Sequence, residues 1–254
     1  MWHGELRDPR LVQVYDAECP WGWEDDFFMA VLAEKSAPRV LDMGCGTGRL
    51  AVAMARAGHE VTAVDPSGPA LEAARAQEDA DLVHWIRADP DTADLPARTY
   101  DTAFLTGYVV QRFAGDDHWE AVLRALRRAL VTEGRLVFHG RDPAGRAWED
   151  WHSGNTRAVV LPDGTTVTAW TEVTGTDERS GLVAITNHYL FADGRRLADP
   201  IRLRFRTEAE LRESLRAAGF RVDTVYGGWG REPVGLGSDG ELIVIAAAAP
   251  RLMS

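Results

Sequence analysis

From about residue 39 the chain alternates short apolar runs with segments of helical periodicity. Arg39-Val40-Leu41-Asp42 reads as a short buried strand running into a glycine-rich turn, and Arg49 to Ala57 follows as a helix closed by Gly58. Val61 to Asp65 is a second strand, Pro69 to Ala76 a second helix, Leu82 to Ala88 a third strand and Thr102 to Thr106 a fourth. The spacing predicts a helix over Trp119 to Leu130, then Gly134 and a fifth strand, Arg135 to Phe138. Strands and helices alternating at these lengths predict an α/β, doubly wound and mostly parallel sheet. Ahead of it, Glu24 to Glu34 has the pattern of an amphipathic helix, preceded by what reads as an aromatic-rich loop.

After Asp150 the pattern changes. Asp163-Gly164 and Asp193-Gly194 separate runs rich in Val, Thr, Ile and Tyr, a hairpin signal that predicts antiparallel strands from about Thr156 to Arg206. Arg202, Arg204 and Arg206 alternate with apolar residues there and read as the solvated face of a half-buried strand. Thr207 and Glu210 have capping-box spacing for a helix ending near Gly219, and Phe220 to Tyr226 and Leu242 to Ala248 supply two closing strands, read as a hairpin at the sheet's edge.

Composition narrows the function classes. A formal charge of −11 argues against a nucleic-acid partner, because phosphate binding needs a concentrated basic surface. The longest apolar stretch, near Ile243 to Ala249, is too short to cross a bilayer, and Met1-Trp2-His3-Gly4-Glu5 lacks the layout of a secretory signal. With two cysteines and scattered histidines, no disulfide framework or metal site is expected. The expectation is a cytoplasmic protein with no membrane partner; a homodimer is left open.

The chemistry-bearing stretch is Asp42-Met43-Gly44-Cys45-Gly46-Thr47-Gly48. A strand ending in such a loop brings backbone close to a ligand and points a helix N-terminus at it. A dinucleotide site wants G-x-G-x-x-G, but Arg49 stands at the last position and Gly48 comes one residue early. Asp42 at the mouth of the loop would also repel a diphosphate, whereas a sulfonium and an amino group favour a carboxylate there. Asp65, at the end of the second strand, can accept from ribose hydroxyls, and Asp89, at the end of the third, from an adenine amino group.

The run from Val40 to Leu50, with Val64-Asp65-Pro66 and Ala88-Asp89 downstream, resembles the class I S-adenosylmethionine-dependent methyltransferases. Gly134 to Phe138 looks like their fifth-strand motif. The whole chain, with Tyr15-Asp16, Arg141-Asp142-Pro143 and the hairpin insertion, looks like the bacterial small-molecule members. The resemblance implies a seven-stranded sheet, S-adenosylmethionine as cofactor and a small-molecule acceptor methylated on O or N. It implies that Asp42, Gly44, Cys45, Gly46 and Gly48 line the methionine half, Asp65 with Pro66 the ribose, and Asp89 the adenine. Thr106, Gly107 and Tyr108 match the fourth-strand end, which borders cofactor and acceptor. Three parts are expected: an N-terminal lid over 1–36, a cofactor-binding domain over 37–150 and 207–254, and an antiparallel insertion over 151–206 covering the acceptor pocket.

Methyl transfer needs chiefly orientation and exclusion of water, with a base only when the nucleophile arrives protonated. The catalytic candidates are His139 as base, Tyr108 beside the transferred methyl, and Arg141 as a clamp for a substrate carboxylate, against a salt bridge from Arg141 to Asp142 or Glu149. Tyr15, Trp21 and Trp23 suit an aromatic lid over a sulfonium, against simple packing of an N-terminal helix. His188 and Tyr189 share a strand and must face opposite sides, with strand filler preferred for both. The rival functions are another reaction on the same cofactor, a nicotinamide-dependent oxidoreductase, and a non-catalytic binding module.

Overall fold

The structure, a computed structural model, describes residues 5–236 and 240–250. The first four residues, on which most of the leader reading rests, lie outside them, as do 251–254 at the end of the cofactor-binding range.

The central layer is a seven-stranded sheet. Its strands in chain order are β1 (Arg39–Met43), β2 (Glu60–Asp65), β3 (Val83–Arg87), β4 (Tyr100–Leu105) and β5 (Leu130–Arg141), completed by two C-terminal strands, Phe220–Tyr226 and Glu241–Ala248. The first five pair in parallel; Glu241–Ala248 runs antiparallel to β5, and Phe220–Tyr226 pairs antiparallel outside it at the edge. Every residue of Glu241–Ala248 is buried, as expected of a strand covered on both faces. The chain winds from β1 outward to β3, then returns to place β4 on the other side of β1. That reversal opens a crevice at the carboxyl ends of β1 and β4, where ligands of open α/β sheets bind.

Helices α1 (Pro9–Glu18), α2 (Trp23–Ala33), α3 (Arg49–Arg56), α4 (Gly68–Arg75), α5 (Val109–Arg112), α6 (Asp116–Ala129) and α7 (Glu208–Ala217) complete this part. The α7 cap is as the sequence predicts: Thr207 Oγ1 accepts from the Glu210 amide, and Glu210 accepts from the Thr207 amide. Between β5 and α7 lies a second sheet, β6 (Arg157–Val160), β7 (Thr166–Asp177), β8 (Leu182–Leu190) and β9 (Arg196–Arg204), antiparallel throughout. The closing strands are therefore β10 (Phe220–Tyr226) and β11 (Glu241–Ala248). Both Asp-Gly pairs sit at tight turns, where Leu161 N–H donates to Thr165 and Phe191 N–H to Arg195. In β8 buried and half-buried positions alternate, with Val183, Ile185, Asn187 and Tyr189 facing in. Leu11 and Val14 of α1 pack on that face against Val159, Val167 and Tyr189, so the N-terminal helix bridges the two sheets.

Three expectations need correction. The segment before α2 is a loop only over residues 19–22, Trp21 among them; ahead of that Asp8 caps α1 by accepting from the Arg10 amide, and Pro9 takes the first helical turn. The fifth strand begins at Leu130, because α6 runs straight into the sheet, Leu130 pairing with Tyr100 before a register shift. Arg204 and Arg206 are buried, not solvated. Arg204 pairs with Glu210 at 2.7 Å; Arg206 pairs with Asp116 at 3.0 Å and donates to the Phe113 carbonyl. Only Arg202 is exposed as the alternation predicts. Residues 204–206 run out of β9 toward α5 and α6, so strand periodicity no longer governs them.

Candidate functional site

At the carboxyl end of β1 the glycine loop doubles back on itself: Gly44 and Cys45 amides donate to the Val64 carbonyl, and the Gly46 amide reaches the carboxylate of Asp65 at 2.9 Å. The second Asp65 oxygen accepts from Ser67 N–H at 2.8 Å. Asp65 is thus a fully buried brace for two loops, with lone pairs to spare on each oxygen. Burial pushes its carboxyl up and the two amides pull it back. Asp42 lies behind the loop, fully buried, with Oδ1 lacking any hydrogen-bond partner. Burial, then the charges of Asp65 and Asp25, push its carboxyl up to about 7.

Gly48 serves packing. It caps α3 with φ +80°, and a Cβ there would stand 2.4 Å from the Trp85 ring. Arg49, at the position where a dinucleotide loop has glycine, bonds Asp25 at 3.0 Å and Glu24 at 3.4 Å, tying the acidic start of α2 to the loop. Burial, then the charges of Asp42 and Asp65, raise the Cys45 thiol well above its usual value, which disfavours the reactive thiolate.

A narrow cavity of about 60 Å³ borders this loop, lined by Gly44, Cys45, Gly46, Asp65, Thr106 and Gly107 among others. Leu6 and Tyr15 of the N-terminal segment roof it; Leu6 Cδ1 would be 3.6 Å from a Cβ on Gly46, and the Tyr15 hydroxyl 3.6 Å from one on Gly107. Thr47 donates to Asp16 at 2.6 Å, and Ser67 donates to the Leu6 carbonyl, fastening that roof. Asp42, Gly48, Pro66 and Asp89 do not line the cavity, and Asp89 is exposed.

A second cavity, of about 470 Å³, lies between the sheet edge and the inner face of β7, β8 and β9. Tyr15, Gly107 and Arg112 line both cavities, so the two abut. Its walls include Tyr108, Gln111, Arg141, Asp150, Trp151 and Asn187, with Glu24 also present. The Arg141 guanidinium lies 3.7 Å over the Tyr108 ring and 5.7 Å from that of Trp151. The salt bridge weighed for it is absent: Glu149 pairs with Arg146, and Asp142 accepts from the Ala144 amide.

His139 is not at this cavity. It is fully buried among Phe28, Tyr108 and Trp229. Its Nε2 accepts from the Tyr108 amide at 3.2 Å, which leaves the ring proton on Nδ1, 3.3 Å from Glu241. Glu241 also accepts the Tyr108 hydroxyl at 2.6 Å. Burial raises the Tyr108 phenol far above its usual range, so it stays protonated. The pair is a rigid floor. Glu241, Glu24, Gln111 and Asn187 were not singled out from the sequence. Glu24 carried a signal in its acidic helix start; the others, placed by tertiary folding, carried none.

Of the three aromatic residues expected over the cofactor, only Tyr15 lines the cavity. Trp23 is 82% exposed, and Trp21 is exposed with its indole N–H on Asp26. Tyr189 is core, and His188 stacks on Trp170 at the opposite face of the second sheet. No helix of the described residues is long and apolar enough to cross a membrane.

Known proteins are similar to this chain in sequence and fold. A family described as "Methyltransferase domain" matches residues 40–134, from β1 into β5. The cypemycin N-terminal methyltransferase of a Streptomyces species is 31% identical over 214 residues, 81% of this chain and 82% of that protein. Among solved structures, the CcbJ methyltransferase of Streptomyces caelestis superposes with a TM-score of 0.71 at 24% identity, covering 92% of this chain and 90% of that one. An S-adenosylmethionine-dependent methyltransferase of Clostridium acetobutylicum gives 0.75 at 15% identity, over 95% and 98% of the two chains. With its seven-stranded sheet, its glycine loop between buried carboxylates and a relative matched over most of its length, the chain belongs to the class I S-adenosylmethionine-dependent methyltransferases.

Proposed function

We propose that this methyltransferase acts on an O or N atom of a small molecule bound in the cavity between the sheet edge and the antiparallel insertion. The observation that carries the reading is the abutment of the two cavities at Tyr15, Gly107 and Arg112, which brings a cofactor at the glycine loop against an acceptor under the second sheet.

The residues at the loop fit the cofactor. Asp42 and Asp65, with Asp25, concentrate negative charge around it, and the unpartnered Asp42 Oδ1 is a buried acceptor that a nearby cation would compensate. Asp65 would take the ribose hydroxyls on its free lone pairs. Gly44, Cys45, Gly46, Thr106 and Gly107 would line the methionine half with backbone, Pro66 and Asp89 would flank the nucleoside, and Gly48 would hold the loop against Trp85. The bound cofactor supplies an activated methyl on a sulfonium. A pocket of 60 Å³ is far below the roughly 300 Å³ at which ligand pockets begin. The described part of the N-terminal segment, residues 5–36, therefore acts as a lid: Leu6 and Tyr15 must shift to admit the cofactor and then seal it from water.

In the acceptor cavity the chain's work is orientation and proton acceptance. Tyr108 is a wall, not a base, because its hydroxyl is already donated to Glu241 and stays protonated. His139 fixes that wall through the Tyr108 amide. The Glu24 carboxylate, which lines the cavity, is the group placed to take a proton from an ammonium or hydroxyl nucleophile. The cypemycin relative, an N-terminal methyltransferase, supports nitrogen as the acceptor atom.

The test is to incubate the protein with methyl-labelled S-adenosylmethionine and a small-molecule extract, and to identify labelled products by mass spectrometry. Label in a low-mass compound is the expected outcome. Demethylated cofactor without a labelled product would replace methyl transfer to a metabolite with another reaction.

A further inference from the structure

We infer that the acceptor carries a carboxylate that docks on Arg141 and Gln111. This rests on the reading of the second cavity as the acceptor site. The guanidinium of Arg141 has no carboxylate within salt-bridge distance among the described residues; its contacts are the faces of Tyr108 and Trp151. In a chain with 39 acidic against 28 basic residues, a half-buried arginine left without an acid stands out. By contrast, Arg49, Arg135, Arg157, Arg204 and Arg206, buried or near the same site, each carry a carboxylate partner.

A second observation points to the same place. Gln111 is 2% exposed and lines the same cavity, and its Nε2 has no hydrogen-bond partner. Its Oε1 accepts from the backbone amide of Arg141 at 3.4 Å, which ties the side-chain amide to that strand end. A buried donor with no acceptor is costly, and a ligand oxygen supplies what it lacks. Two donors lining one cavity, one of them charged and planar, match the two oxygens of a carboxylate.

The rest of the wall is of mixed charge: Arg112 and Arg157 line the cavity, Arg157 paired with Glu18, and so do Glu24 and Asp150. The two carboxylates offer a place for a positive group on the acceptor. With the acid end held at Arg141, a nucleophile can reach toward Gly107 and Tyr15, where the two cavities meet.

The experiment fractionates the small-molecule extract on an anion-exchange resin and assays each fraction with methyl-labelled S-adenosylmethionine. Three portions of the retained fraction are compared: untreated, treated with phosphatase, and converted to methyl esters. The proposal expects label only in the retained fraction, surviving phosphatase and lost on esterification. Arg141→Gln and Gln111→Leu should each raise the acceptor KM by roughly tenfold or more, with calorimetric affinity for S-adenosylmethionine unchanged, which shows that the variants are folded. Arg141→Lys should recover only part of the loss, since an ammonium lacks the planar fork. Label in the unretained fraction, or undiminished label after esterification, overturns the carboxylate while leaving methyl transfer standing. Loss of label after phosphatase treatment replaces it with a phosphate. No label in any fraction removes the methyl-transfer reading and this inference with it.

Discussion

The two abutting cavities are built by different means. At the glycine loop the wall includes Gly44, Gly46 and Gly107, the carboxylates of Asp25 and Asp65 stand beside Arg49 and Arg112, and the key contact, Gly46 to Asp65, spans nineteen residues. Under the antiparallel sheet the walls are side chains from widely separated segments: Tyr108 is held by Glu241 across 133 residues, and Gln111, Arg141, Trp151 and Asn187 come from four different places in the chain. The difference matches the two tasks. A ligand common to many enzymes can be held by a short motif, whereas a ligand particular to one enzyme must be read by side chains that elaborations bring together.

The largest effect expected from breaking this contrast is at Gly48. Gly48→Val places a branched side chain at φ +80° against the Trp85 ring, which Ala80 holds through the indole N–H. Backbone strain and overpacking should together remove about 2–5 kcal/mol of stability, read by denaturant unfolding. The next largest should come from the floor of the second cavity. In Glu241→Gln one oxygen that now accepts becomes an NH₂, so either His139 or Tyr108 loses its acceptor. About 1–3 kcal/mol of stability should go, with a raised acceptor KM and unchanged cofactor affinity, measured by thermal unfolding and steady-state kinetics.

A third experiment uses pH. The Asp42 carboxyl, pushed up to about 7 by burial and by its acidic neighbours, holds its proton in the folded protein over a range where the unfolded chain has lost it. Its contribution therefore lowers stability as pH rises from near 4 to about 7, with no further change above. A cationic ligand favours the ionised form, so S-adenosylmethionine affinity should fall by about tenfold from pH 8 to pH 6. Asp42→Asn should flatten that dependence, as followed by calorimetry at each pH. The smallest effect belongs to Trp23, 82% exposed. Trp23→Ala should move stability by less than about 0.5 kcal/mol and leave both cavities as they are.

The same contrast explains what could be read from the sequence. The order β1 to β5, both Asp-Gly hairpins and the α7 capping box are local signals of periodicity and turn chemistry, and they stand where the pattern puts them. The glycine loop and Asp65 were legible for the same reason. His139 reads as a base because it follows the fifth strand; only the packed structure shows its Nε2 taken by the Tyr108 amide. Arg204 and Arg206 keep the alternation of an exposed strand face, yet Asp116, which draws Arg206 inward, stands 90 residues away. Trp21 and Trp23 are aromatic residues next to Tyr15 in sequence, and nothing in their spacing says that the loop before α2 and the first turn of α2 leave them exposed to solvent. The second cavity depends on such distant pairings throughout.

The division of labour between the two cavities is tested most directly by one set of calorimetric titrations with S-adenosylmethionine, on the unaltered protein, Asp65→Ala and Arg141→Gln. Asp65→Ala should weaken binding by about 1.5–3 kcal/mol, the worth of a charge-assisted hydrogen bond, while Arg141→Gln binds as the unaltered protein does. Equal weakening in both variants, or full affinity in Asp65→Ala, would contradict the account.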